Sequence, residues 1–168
     1  LKSIEKITSE DGLGMSPRRI TVSTSGVPKI IKKMADEEVK FNLAVSLHSA
    51  IDEVRTKIMP FNEHFPLKDL RESLEYWYAK TGKQITYEYV VWKDINDRTE
   101  DIDALVKFCK YVPSKVNLIE YNPIDDGEFQ QAPDAAINAY VNALERNNIT
   151  VTVRRSRGKD IDAACGQL

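Results

Sequence analysis

Cys165 is the residue with the clearest chemical potential. It lies between small residues, Ala163-Ala164 and Gly166, behind a charged stretch that runs from Arg154 to Asp162. Small neighbours leave a sulfur uncrowded, and nearby cations favour the thiolate, the nucleophilic form. The plainer reading is a solvated tail after the last strand, since the segment is too charged to bury. Cys109 differs: it shares the apolar face of a helical pattern with Ile102, Leu105 and Val106, and reads as core filling. Neither cysteine has a second one at metal-ligand spacing, and two do not make a disulfide framework.

The elements that must position such a group follow from the apolar periodicity. Ile4 and Ile7 have helical spacing, broken at Asp11-Gly12. Arg18 to Gly26 reads as a strand ending in a polar turn, and Pro28 opens a short helix through Ile31 and Met34. Phe41 to Leu47 is a second strand, followed by His48. A loop of about twenty residues with Pro60 and Pro66 comes next, a length that often carries function. Leu67, Leu70, Leu74, Trp77 and Tyr78 mark an amphipathic helix closed by Gly82. Ile85 to Trp92 is a strong strand. Asp97 with Glu100 suggests the start of the helix that holds Cys109. Lys115 to Tyr121 is the fourth strand. A helix after Pro133 buries Ile137, Tyr140, Val141 and Leu144, and Ile149 to Val153 is the fifth strand.

Alternating strands and helices predict an α/β fold with parallel strands and right-handed crossovers. The pattern leaves open a doubly wound sheet or a partial (βα) barrel; no G-x-G-x-x-G turn favours dinucleotide binding. In either, the site lies at the C-terminal ends of the strands. Those ends deliver Ser23, Thr24, Ser25 and Gly26, then Ser46 and His48, then Asn122, then Arg154 and the tail; Glu88 sits lower on the third strand, where it could face solvent at an edge. Individually these are ordinary turn and capping residues. Together they form a rim of hydrogen-bonding groups suited to a polar ligand such as a nucleoside. No Ser–His–Asp order, metal cluster or carboxylate pair accompanies them.

Size and composition fit one domain, residues 1–168, with 42% hydrophobic and 30% charged residues. No apolar run approaches a membrane span. No signal-peptide pattern opens the chain, so a cytoplasmic location is expected. The net charge of −2 gives no global attraction to nucleic acid, which leaves the basic tail, 154–168, as the densest local patch. The chain begins at Leu1, and residues 1–14 read like the end of a helix already under way; a portion of a longer protein is expected.

Four segments carry a resemblance: Ile20-Thr-Val-Ser-Thr-Ser-Gly26, Ala44-Val-Ser-Leu-His48, Asn117-Leu-Ile-Glu-Tyr-Asn-Pro123 and Arg157-Gly-Lys-Asp-Ile-Asp-Ala-Ala-Cys-Gly-Gln-Leu168. They resemble the radical S-adenosylmethionine (SAM) methyltransferases that methylate C2 of adenine in large-subunit ribosomal RNA and some transfer RNAs. The likeness extends from about Pro17 to the end, and its tail motif is the most specific segment. It implies the C-terminal portion of a partial (βα) barrel of radical SAM type. SAM contacts carry onto Ser23, Ser46, Leu47, His48 and Asn122, and the methyl-accepting cysteine carries onto Cys165. C2 of adenine is not nucleophilic, whereas a thiolate takes a methyl group by ordinary displacement. In the family a second SAM, cleaved at a [4Fe-4S] cluster by a reducing electron donor, gives the radical that activates the S-methyl group. A second cysteine then resolves the protein–RNA adduct through a disulfide.

The cluster-binding C-x-x-x-C-x-x-C motif, the family's glycine–glutamate SAM motif and the resolving cysteine are absent from these residues. The resemblance implies that they lie upstream of Leu1, and without them this polypeptide alone is expected to be inactive; a monomer with no membrane partner is expected of the protein. Ser49-Ala-Ile-Asp52 and Met59-Pro-Phe-Asn62 depart from the family's usual loops. Competing readings are the related adenine-C8 methyltransferase of antibiotic-resistance type, a non-catalytic RNA- or nucleotide-binding module, and a metabolic βα-barrel enzyme.

Overall fold

A computed structural model describes residues 2–122 and 129–155. Cys165, most of the basic tail and the acidic loop after Asn122 therefore lie outside the described residues. The elements run α1 (Lys2–Thr8), β1 (Thr21–Thr24), α2 (Pro28–Asp36), β2 (Asn42–Ser46), α3 (Asp52–Ile58), α4 (Leu67–Thr81), β3 (Ile85–Val91), α5 (Thr99–Cys109), β4 (Ser114–Glu120), α6 (Asp134–Arg146) and β5 (Thr150–Arg154).

The strands form one sheet in the order β1-β2-β3-β4-β5, every neighbouring pair parallel. Each strand lies beside its predecessor, so the order contains no reversal and no switch point of a doubly wound sheet. The packing agrees. Ile31 and Met34 of α2, Leu70, Leu74 and Trp77 of α4, Leu105 of α5 and Tyr140 and Leu144 of α6 share a single core with Leu43, Val45, Tyr87, Tyr89, Val116 and Leu118 of the strands. Helices thus cover one face of the sheet, as constant right-handed crossovers require. This is the layout of a barrel segment.

Local chemistry explains the elements. Leu67, Leu70, Leu74 and Trp77 recur on one side of α4, and all are buried. The helix stops at Gly82: its N–H closes the last turn on Tyr78 O at 2.8 Å, and its φ of +64° turns the chain out of the helix. Along β3 burial alternates strictly: Ile85, Tyr87, Tyr89 and Val91 are buried, while Thr86, Glu88 and Val90 are half-buried. Tyr140 donates to Asn96 O at 2.6 Å, and Tyr89 donates to Tyr140 at 3.1 Å. Burial raises both phenols above their ordinary range.

Four sequence expectations change. The long loop before α4 holds α3 and a 3-10 turn, Pro60–Glu63. Arg18 and Arg19 belong to a 3-10 turn, Pro17–Arg19, rather than to β1. The helix expected from Asp97 and Glu100 begins at Thr99, and it is Asp101, fully buried, that accepts the Arg98 N–H at 3.2 Å. Asp97 instead accepts from Asp94 N at 3.0 Å. Glu88, finally, is on the central strand of the sheet and not at an edge. No helix among the described residues is long and apolar enough to cross a membrane.

Candidate functional site

Because helices take one face, the opposite face of the strands must carry whatever is polar. In register across it lie Ser23, Ala44, Thr86, Lys115 and Thr150. The next row toward the C-terminal ends is Ser46, Glu88, Asn117 and Thr152. Val90, Ile119 and Arg154 follow, with His48 just past the end of β2. The parallel register therefore puts Ser23 one row below Ser46 on the neighbouring strand, with His48 beyond Ser46 at the strand end. Asn122 is buried just past the end of β4.

His48 is held in an unusual way. Its φ is +57°, in the left-handed region. Its Nδ1 accepts the Val90 N–H at 3.1 Å, and its carbonyl accepts from Asn96 Nδ2 at 2.7 Å. A ring that accepts at Nδ1 must, when neutral, carry its proton at Nε2. Burial, assisted by the Arg55 charge, lowers its pKa to about 4. At neutral pH His48 is thus a hydrogen-bond donor through Nε2 and not a cation. Ser23 is exposed and Ser46 half-buried, and neither hydroxyl has a protein partner among the described residues. Leu47 differs: its side chain is fully buried, its N–H donates to Glu88 O at 2.9 Å and its carbonyl accepts from Arg55 Nε at 3.0 Å. It shapes the strand end and leaves no polar group free for a ligand.

The residue that organises this rim is Arg55, which the sequence patterns above do not single out. It is fully buried on α3. Its Nε donates to Leu47 O at 3.0 Å; Nη2 donates to Ser25 O at 2.8 Å and Ser46 O at 3.3 Å; Nη1 donates to Asn62 Oδ1 at 2.6 Å. A single planar fork thereby fixes the ends of both β1 and β2. Asn62 passes the network on, its Nδ2 donating to Asp52 Oδ1 at 2.9 Å and Thr56 Oγ1 at 3.0 Å. Asp52 Oδ1 also accepts the Leu67 N–H at 2.8 Å, which anchors the start of α4. Burial lowers the Arg55 pKa to about 10, against the opposing pull of Asp52, so the side chain stays charged at neutral pH. Gly26, at φ +103°, lies against this fork: a Cβ there would come 3.0 Å from Leu70 Cδ1 and 3.5 Å from Arg55 Nη2. Asn96 does the same for the end of β3, taking the Trp92 N–H at 2.7 Å and giving its amide protons to His48 O and Val90 O.

Among the described residues the Ser23 and Ser46 hydroxyls and the His48 Nε2–H have no protein partner, which leaves them able to bond a polar ligand. Among the described residues, no group of three or more His, Cys, Asp or Glu side chains is placed to hold a metal ion. Cys109 is buried, and burial pushes its thiol up to about 12. It is an inert core residue, as its helical spacing suggests.

No protein-family model matches the chain. Individual relatives do. The whole chain is 76% identical over 168 residues to a protein of Christiangramia forsetii described as "Probable dual-specificity RNA methyltransferase RlmN". Across its 168 residues this chain is a homologue of the dual-specificity RNA methyltransferases. It spans 48% of the length of that relative. The crystal structure of a radical SAM methyltransferase from Sphaerobacter thermophilus superposes with a TM-score of 0.90 at 37% identity, over 96% of this chain and 47% of that one. A domain of pyruvate-formate lyase-activating enzyme from Bacteroides vulgatus shares the fold alone, with a TM-score of 0.62 at 13% identity over 80% of each chain. The sheet with helices on one side is therefore the radical SAM methyltransferase fold.

Proposed function

We propose that this chain is the SAM-facing portion of an RNA methyltransferase that modifies C2 of adenine in large-subunit ribosomal RNA and in some transfer RNAs. The end-to-end identity of 76% with a dual-specificity RNA methyltransferase carries the reading. The rim chemistry supports it: Ser23, Ser46 and His48 Nε2 donate to SAM, the main chain at Leu47 and the Asn122 side chain shape its pocket, and Arg55 holds the two strand ends in place. His48 stays neutral, so it adds a directional donor without repelling the sulfonium.

Cys165 is the methyl acceptor. Its thiolate attacks the sulfonium methyl group; the S–C bond forms as the bond to the departing sulfur breaks, which releases S-adenosylhomocysteine. The [4Fe-4S] cluster, when bound, supplies the electron for reductive cleavage of SAM. With two cysteines, one of them buried at the C-terminal end of α5, this chain does not supply a three-cysteine ligand set, and the rest of the protein is assigned that task. The chain alone is then expected to hold no iron and to turn over no RNA.

The deciding experiment is Cys165→Ala in the full-length protein. RNA methylation should disappear; methylation that survives shows the assignment is wrong. Mass spectrometry of the wild-type product should place the methyl group on C2, and a C8 product would redirect the reading to the resistance-type enzyme. Stoichiometric iron with product from the 168-residue chain would refute its dependence on the remainder.

A further inference from the structure

The inner face offers one more pair of groups that the methyl-transfer chemistry does not use. Glu88 and Asn117 are register partners on two adjacent strands, β3 and β4. Each is half-buried between residues that point into the core: Tyr87 and Tyr89 around Glu88, Val116 and Leu118 around Asn117. Both side chains therefore stand on the polar face, and adjacent strands are only about 4.8 Å apart. Among the described residues the Glu88 carboxylate has no hydrogen-bond or ion-pair partner. Asn117 is committed on one side only: its Oδ1 accepts the Thr152 hydroxyl proton at 2.6 Å. That bond turns the amide so that its NH2 is the free end. The row thus presents an acceptor and a donor side by side, fixed by backbone register and by Thr152.

We infer that Glu88 and Asn117 form an acceptor–donor pair that reads the amino-pyrimidine edge of an adenine. The inference rests on the proposed adenine-directed activity and names the residues that would recognise the base. An adenine offers an N6 amino donor beside its N1 acceptor; N6–H gives its proton to Glu88 and N1 accepts from Asn117 Nδ2. The order of the row then fixes the order of the ring atoms. C2 follows N1 and so lies on the β5 side, the strand whose chain continues from Arg154 toward Cys165. C8, on the opposite ring, is carried away from that side. A pair without catalytic chemistry of its own would in this way determine both base identity and the position presented.

Two adenines are available, that of the RNA and that of SAM, and the test separates them. Full-length protein is assayed in single turnover on an RNA hairpin with adenine at the target position, and on the same hairpin with purine there, which lacks the 6-amino group. A site built to bond that group should lose roughly 100-fold or more on purine. In Glu88→Ala the adenine-to-purine ratio should collapse toward unity, and Glu88→Gln, whose carbonyl oxygen still accepts from N6, should restore most of it. Asn117→Asp, which sets an acceptor against N1, should lower activity on both RNAs. SAM affinity is measured by calorimetry on the same variants. A wild-type ratio in Glu88→Ala with SAM binding weakened tenfold or more assigns the edge to SAM, and the adenine reading stands. A wild-type ratio with unchanged SAM affinity overturns it. Wild-type protein that methylates no RNA would strike the proposed function itself, an outcome distinct from either.

Discussion

On the helix-covered side of the sheet, Tyr87, Tyr89 and Leu118 are fully buried. On the other, Thr86, Glu88 and Asn117 alternate with them along the same strands and stay half-buried. The covered face fulfils the stability requirement, so nearly every position there is apolar or hydrogen-bonded. The inner face is freed from it and can hold unpaired hydroxyls, a carboxylate and an amide. Arg55 is the exception that joins them: it is buried with the core yet directs its hydrogen bonds to the strand ends that build the rim.

The contrast can be tested at graded scale. Trp77→Ala, on the covered side, should cost about 3–5 kcal/mol in chemical denaturation, because Trp77 is fully buried against Phe41. Arg55→Met should cost about 2–4 kcal/mol, since it removes the donor of the buried bond to Leu47 O and of the part-buried bonds to Ser25 O and Ser46 O. Unlike Trp77→Ala at equal loss of stability, it should also abolish SAM binding by calorimetry. Equal SAM affinity in the two variants would break the link between the faces.

A pH effect comes next in size. The folded-state pKa of His48 is about 4 against an ordinary 6.5, so between those values the unfolded chain binds a proton that the folded chain does not. Stability is therefore full above pH 6.5 and falls by roughly 2–3 kcal/mol as the pH drops to 4. Denaturation at about pH 7 and about pH 4.5 should show the fall, and His48→Gln should flatten that stretch of the profile. The smallest effect should come from the inner face itself: Thr86→Ala should move stability by less than about 0.5 kcal/mol. Cys109, with its thiol near 12, should react with a thiol reagent at about pH 8 only when the chain is unfolded.

The five strands and α4, α5 and α6 are legible in the sequence because burial on one side imposes a period on the side chains, as in Ile85-Thr86-Tyr87-Glu88-Tyr89. Residues 49–66 are not, for a physical reason. α3 has seven residues and two buried side chains, Val54 and Arg55. An apolar scan does not count a charged residue as interior, so the helix leaves no periodic trace. What signals Arg55 is the company of Asp52, Thr56 and Asn62, polar groups at helical and near-helical spacing that can satisfy a guanidinium. Glu88 reads as an edge residue because a single strand's alternation does not reveal which of its faces is covered. The rim residues Ser23, Ser46 and His48 are legible as strand-end groups, whereas the tautomer of His48 depends on Val90, 42 residues away.

The strictly consecutive strand order also bears on how the molecule is made. Each strand docks on the one synthesised just before it, so no pairing in the sheet waits for a distant segment. These five strands can be added in order as the chain leaves the ribosome, one strand and helix at a time, with modest loop-closure cost at each addition. β5 is the last of these five strands to dock, and until it does Asn117 lacks the hydroxyl of Thr152 that orients its amide. The acceptor–donor row on the inner face is thus completed only when β5 is in place, which makes formation of the row depend on the docking of its neighbouring strand.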